Sequence, residues 1–129
     1  MSVSPQDINI VERMFKAMQT GLSAEHEMMA LFSDNASFTE PFSGQARTHQ
    51  GKDAIRAIFI DMWNEPGPPI QLTTDRVDLD GDIVHVDWTC HSEVFETPMK
   101  GHDRFDIQDG LIQSLEVTVT EMPPMVRVY

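Results

Sequence analysis

Glu65-Pro66-Gly67-Pro68-Pro69 divides the 129-residue chain into two parts with different hydrophobic periods. Three prolines and a glycine in five positions can continue neither a helix nor a ladder. Before this break, apolar side chains recur every three or four residues; after it they alternate. Helices at one end and a meander of strands at the other define an α+β domain, with helices packed on one face of a curved sheet.

Working back from the break, Lys52 to Trp63 reads as a third helix, with Ala54, Ile55, Ile58, Phe59 and Met62 on one side. Pro41 to Gly51 reads as loop. Ala36-Ser37-Phe38-Thr39-Glu40 alternates as a short strand, ended by a proline that cannot donate to a ladder. Ser23 caps a second helix carrying Met28, Met29, Leu31 and Phe32 and stopping at Ser33-Asp34-Asn35. Ser4-Pro5-Gln6-Asp7 opens helix one, with Ile8, Val11, Met14, Phe15 and Met18 at helical spacing up to Gly21.

Working forward, Ile70 to Leu79, Ile83 to Phe95, Lys100 to Gln108 and Leu111 to Thr120 read as four strands. Asp80-Gly81 and Asp109-Gly110 supply hairpin turns, which make the strands they join antiparallel neighbours. In Ile83 to Phe95 the row Val84, Val86, Trp88, Cys90 opposes the semi-polar row His85, Asp87, Thr89, His91. That second row suits a wet face or a modest subunit interface.

The length fits one domain spanning residues 1–129, with room for a real core. No apolar run approaches a membrane span, and Met1-Ser2-Val3-Ser4-Pro5 lacks the basic-then-apolar pattern of a secretion signal, so a cytoplasmic location is expected. The single cysteine, Cys90, agrees with a reducing compartment. It falls on the Trp88 row and is most simply a small buried hydrophobe. A net charge of −12 argues against nucleic acid and acidic membrane surfaces, which need a cationic patch. His26, His49, His85, His91 and His102 lack metal-motif spacing, so no metal is expected.

Two carboxylates break the pattern. Side chains alternate along a strand, so Glu40 points where Ala36 and Phe38 point, and Asp103 shares a row with Phe105 and Ile107. An acid on an apolar row is costly unless bonded, paired or protonated, and burial raises its pKa toward values useful for moving protons. If the two acids share a cavity, their repulsion raises one pKa further. The structural alternatives are that Glu40 lies solvated at an open rim, and that Asp103 accepts backbone amides or pairs with Arg56 or Arg76. Met14, Met18, Met28, Met29 and Met62 read first as core, although flexible thioethers also suit a cavity for varied apolar ligands.

These residues carry a resemblance. Ala17-Met18-Gln19-Thr20-Gly21, Ala30 through Pro41, Gly51-Lys52-Asp53-Ala54-Ile55-Arg56 and Gly101 through Ile112 resemble, in order, the SnoaL-like branch of the nuclear transport factor 2-like superfamily. The resemblance covers nearly the whole chain. It implies a cone-shaped, barrel-like domain with three N-terminal helices on a curved, mostly antiparallel sheet. Among its members, ketosteroid isomerase is the nearest mechanistic match: a carboxylate before a proline moves a proton beside a ketone, and a neutral acid with a tyrosine stabilises the oxyanion.

By that resemblance Glu40, ahead of Pro41, stands at the base position as glutamate in place of aspartate, and Asp103 at the oxyanion-stabilising acid. Met14 stands where the tyrosine would be, and the only tyrosine is Tyr129. One oxyanion donor is worth roughly 2.7–4 kcal/mol, so its loss counts against full steroid isomerase chemistry. Epoxide-hydrolase relatives need an arginine between two aspartates; Trp88, Cys90 and Val117 stand near those places, and Arg76-Val77-Asp78 lies one strand too early.

The expectation is a small apolar ligand bearing a carbonyl or hydroxyl, in a pocket lined by Met14, Met18, Phe38, Phe59, Met62, Val86, Trp88, Phe105, Leu115 and Val117. Glu40 is expected to accept a proton and Asp103 to donate a hydrogen bond, in an isomerase- or cyclase-like step needing no metal or organic cofactor. The alternative is a non-enzymatic ligand-binding or protein-interaction module. The resemblance also implies a homodimer through the outer sheet face, with His85, Asp87, Thr89 and His91. The path of Met122 to Tyr129 stays open.

Overall fold

The computed structural model describes residues 5–64 and 69–124. Ser4 of the first cap, residues 65–68 of the central break, and residues 125–129 with Tyr129 lie outside the described residues.

Helix α1 (Pro5–Thr20) buries Ile10, Val11, Met14, Phe15 and Ala17, the stripe its period dictates. Gly21 follows with φ 96°, a left-handed conformation suited to glycine, and its N–H reaches the Ala17 carbonyl at 3.1 Å. A short 3₁₀ turn, Leu22–Ala24, leads into α2 (Glu25–Ala30), which buries Met28 and Met29.

The second helix is shorter than its apolar run suggests. Leu31 leaves it, and Phe32 already belongs to strand β1 (Phe32–Glu40), in parallel register with Ile112. The Ile112 N–H donates to the Leu31 carbonyl at 2.8 Å, so pairing with a distant strand overrides local helix preference. Residues 41–51, expected as loop, also contain a strand, β2 (Arg47–Gln50), antiparallel to β1. Its four side chains are polar and mostly exposed, leaving no apolar alternation to reveal it.

Helix α3 (Lys52–Asn64) follows, burying Ile55 and Phe59. Strands β3 (Gln71–Asp80), β4 (Ile83–His91), β5 (Met99–Gln108) and β6 (Leu111–Glu121) match the expected four within a few residues. At the β5–β6 turn Asp109 and Gly110 both take positive φ, 54° and 75°, as a tight hairpin turn requires.

The sheet order is β2-β1-β6-β5-β4-β3, antiparallel at every step except β1 beside β6. It is a curved, mixed sheet that does not close, with the three helices on its inner face. Buried apolar side chains from helices and sheet form one cluster. At its centre Phe59 of α3 stacks on Phe38 of β1 at 5.0 Å and on Trp63 at 5.6 Å.

The outer face is polar. His85 and His102 are bonded ring to ring at 3.1 Å, and His102 Nδ1 lies 2.7 Å from Asp87. Thr89, expected on a wet face, is buried beneath Asp75, to which it donates, and Lys100, from which it accepts.

Candidate functional site

Between the inner face of the sheet and helices α1 and α3 lies a cavity of about 530 Å³, well inside the range of about 300–1,000 Å³ common for small-molecule sites. Of the ten residues expected to line a pocket, Met14, Met18, Phe38, Met62, Trp88, Leu115 and Val117 are on the wall of this cavity. Phe59, Val86 and Phe105 are not; each is fully buried in the core behind the wall. Sequence reasoning missed the contributions of Phe42, Trp63, Cys90, Phe95 and Met99 to the lining. Met99 and Phe95 come from the region that ends β4 and starts β5, where alternation fades and no period marks an inward face.

Asp103 is on that wall. It sits in the middle of the sheet, opposite Val86 of β4 and Val117 of β6. The only hydrogen bond to its carboxyl among the described residues comes from the Trp88 indole, whose Nε1 donates to Oδ1 at 2.8 Å. Burial pushes the carboxyl up to about 7, and the indole hydrogen bond offsets only part of the rise. Neither proposed arginine partner is present: Arg56 pairs with Glu25 at 2.7 Å, and Arg76 with Asp78 at 2.8 Å on exposed β3. The Arg76-Val77-Asp78 tripeptide accordingly supplies no charge to the cavity.

Glu40 is buried but not among the residues lining the cavity, so the two acids are not brought to one wall. Nor is it solvated at a rim: its side chain is wholly enclosed. Oε1 accepts the Phe42 N–H at 2.7 Å, while Oε2 accepts Arg47 at 2.9 Å and lies 2.8 Å from His49 Nε2. Burial pushes this carboxyl up, but His49, the Phe42 amide and Arg47 together hold it below its ordinary 4.5. Arg47 and His49 come from β2, the strand that the sequence concealed.

The other polar groups at the cavity are committed elsewhere. Gln19 donates to Phe15 and accepts the Leu72 N–H, and the Trp63 indole donates to the Met18 carbonyl. Burial pushes the Cys90 thiol up to about 11, so it remains a neutral wall group. Among the described residues no three His, Cys, Asp or Glu side chains are grouped to hold a metal ion. No described helix is long and apolar enough to cross a membrane.

Three helices on an open, curved mixed sheet, with an acid on the wall of an apolar cavity between them, define a cone-shaped α+β fold. Residues 11–115 match the SnoaL-like domain, and the chain belongs to that family. Its fold is shared with a solved protein from Kribbella flavida, provisionally assigned as a ketosteroid isomerase: 20% identity, 96% of this chain and 86% of that one covered, TM-score 0.74. A provisionally assigned polyketide cyclase from Sinorhizobium meliloti gives 21% identity, coverage of 85% and 94%, and a TM-score of 0.71. An epoxide hydrolase from M. tuberculosis gives 15% identity, coverage of 88% and 82%, and a TM-score of 0.69. At these identities the likeness concerns the fold alone. No functionally curated protein matches the sequence.

Proposed function

We propose that this protein binds a small, largely apolar molecule bearing a carbonyl or hydroxyl and acts on it as an isomerase- or cyclase-like enzyme through Asp103. The observation that carries this reading is a carboxyl on an apolar cavity wall with one hydrogen bond and a pKa raised to about 7. Near neutral pH such a group is available both as acid and as base. In its neutral form it donates to the ligand oxygen and stabilises negative charge developing there when a proton leaves the adjacent carbon.

The proton acceptor in this reading is Glu40 where neutral Asp103 is the donor; in the other arrangement ionised Asp103 itself takes the proton, and then gives no hydrogen bond to the ligand oxygen in that step. Comparing Glu40→Gln and Asp103→Asn in turnover and binding assays with cyclic ketones separates them. Loss of turnover in Glu40→Gln with binding kept assigns acceptance to Glu40; full turnover in that variant assigns it to Asp103. Turnover unchanged in Asp103→Leu, which has neither an acid nor a donor at that point, would remove the proposal.

A second reading, a non-enzymatic ligand-binding module, is favoured by one observation: Glu40 does not line the cavity, which leaves Asp103 as the one carboxyl among its lining residues. It differs in expecting ketone binding without turnover in any variant. A homodimer through the outer face of β4, around His85 and Asp87, belongs to either reading. Light scattering at micromolar concentration is expected to give twice the chain mass; monomer alone would exclude it.

A further inference from the structure

Gly101 and Trp88 face each other across β5 and β4. A Cβ placed on Gly101 would lie 2.0 Å from the indole Cζ2 and 2.5 Å from Cε2. The ring thus rests directly on the Gly101 backbone, a seat available because glycine has no side chain. From there its N–H reaches two residues along β5 to Asp103 Oδ1.

An indole carries one donor and no acceptor. Oδ1 is therefore held as an acceptor whether the carboxyl is ionised or neutral, and the proton of the neutral acid belongs on Oδ2. Oδ2 has no hydrogen-bond partner among the described residues, yet no buried side-chain polar atom there lacks one. Oδ2 is consequently the atom that opens onto the cavity.

We propose that Trp88, seated on Gly101, is a positioning residue that fixes Oδ1 as an acceptor and presents Oδ2–H to the cavity, selecting neutral apolar ligands with a hydrogen-bond acceptor at that point. This rests on the reading of Asp103 as the acting acid. Gln19, Thr20 and Trp63, the other polar side chains on the lining, are bonded within the protein, which leaves Oδ2 as the side-chain oxygen or nitrogen on that wall without a partner among the described residues.

The test is infrared difference spectroscopy at pH 5, with Asp103→Asn as the reference that isolates the Asp103 carboxyl C=O band. In Trp88→Phe the band is expected to move to higher wavenumber, because the carbonyl oxygen has lost its donor. An unmoved band in a folded variant overturns the proposal and leaves the functional reading intact. A wild-type protein with no protonated Asp103 band at pH 5 removes the functional reading itself. If Trp88→Phe does not fold, benzothienylalanine at position 88 in a Trp63→Phe background keeps the ring shape without the N–H, and the same band decides. For ligand class, 2-adamantanone is expected to bind at pH 5 at least tenfold more tightly than 1-adamantylammonium; equal or reversed affinities would overturn the selection.

Discussion

The Phe42 amide donates to Glu40 Oε1 at 2.7 Å, so a residue on the cavity wall is fastened to a carboxylate that is not on it. Glu40 binds the start of the loop after β1 to Arg47 and His49 of β2, and so holds the corner beside the cavity.

Replacing Glu40 with glutamine is expected to destabilise the protein by about 2 kcal/mol at pH 7, the scale of hydrogen bonds to a charged group. The glutamine amide cannot accept from all of its neighbours. Because the Glu40 pKa is lowered on folding, its contribution is present above the ordinary 4.5 and lost as pH falls through the folded value. Urea unfolding of both proteins should therefore show a gap that narrows on acidification. A gap that widens at low pH would contradict this role.

Asp103 has the opposite sign. Its pKa is raised, so its contribution is fully present below the ordinary 3.8 and lost as pH rises through about 7. The interval, at roughly 1.4 kcal/mol per pH unit, amounts to about 4 kcal/mol. Asparagine does not titrate and resembles the neutral acid, with an oxygen for Trp88 and a donor toward the cavity. Relative to wild type, Asp103→Asn is expected to gain about this much stability between pH 4 and pH 8, measured by unfolding at several pH values. A pH-independent difference would show that Asp103 is not buried as described.

Gly101→Ala forces its methyl into the Trp88 ring, since the nearest indole carbon would stand 2.0 Å away. Overpacking of this kind costs roughly 1–3 kcal/mol. The displaced indole no longer lowers the Asp103 pKa, so that pKa should rise further. Unfolding with Trp88 fluorescence in a Trp63→Phe background checks the first part and a titration of the Asp103 carboxyl the second; an alanine variant with wild-type stability and emission would exclude the seat.

Much of this was legible in the sequence because the strong signals are local. The proline-rich break, the alternation in β4 and β5 and the Asp-Gly turns separated a mainly helical first part from the four-strand meander and placed Asp103 on an inward row. What escaped depends on long-range partners. Leu31 and Phe32 continue an apolar run equally compatible with a helix, and only pairing with Ile112 makes Phe32 a strand residue. Arg47-Thr48-His49-Gln50 pairs through its backbone and shows no apolar pattern, so the Arg47 and His49 side chains that hold Glu40 were invisible. The row reading put Glu40 inward correctly; whether inward meant cavity or ion cluster depended on β2. The contact between Trp88 and Asp103 likewise follows from β4–β5 register and a glycine opposite the indole, which neither strand reveals alone.

The role of Asp103 as a proton-exchanging acid in an apolar cavity is tested most directly by a carbon-13 NMR titration of its side-chain carboxyl, assigned against Asp103→Asn. The structure leads to a midpoint of about 7. A midpoint at or below the ordinary 3.8 would contradict it, leaving Asp103 an ordinary ionised carboxylate and the cavity without an acid to work with.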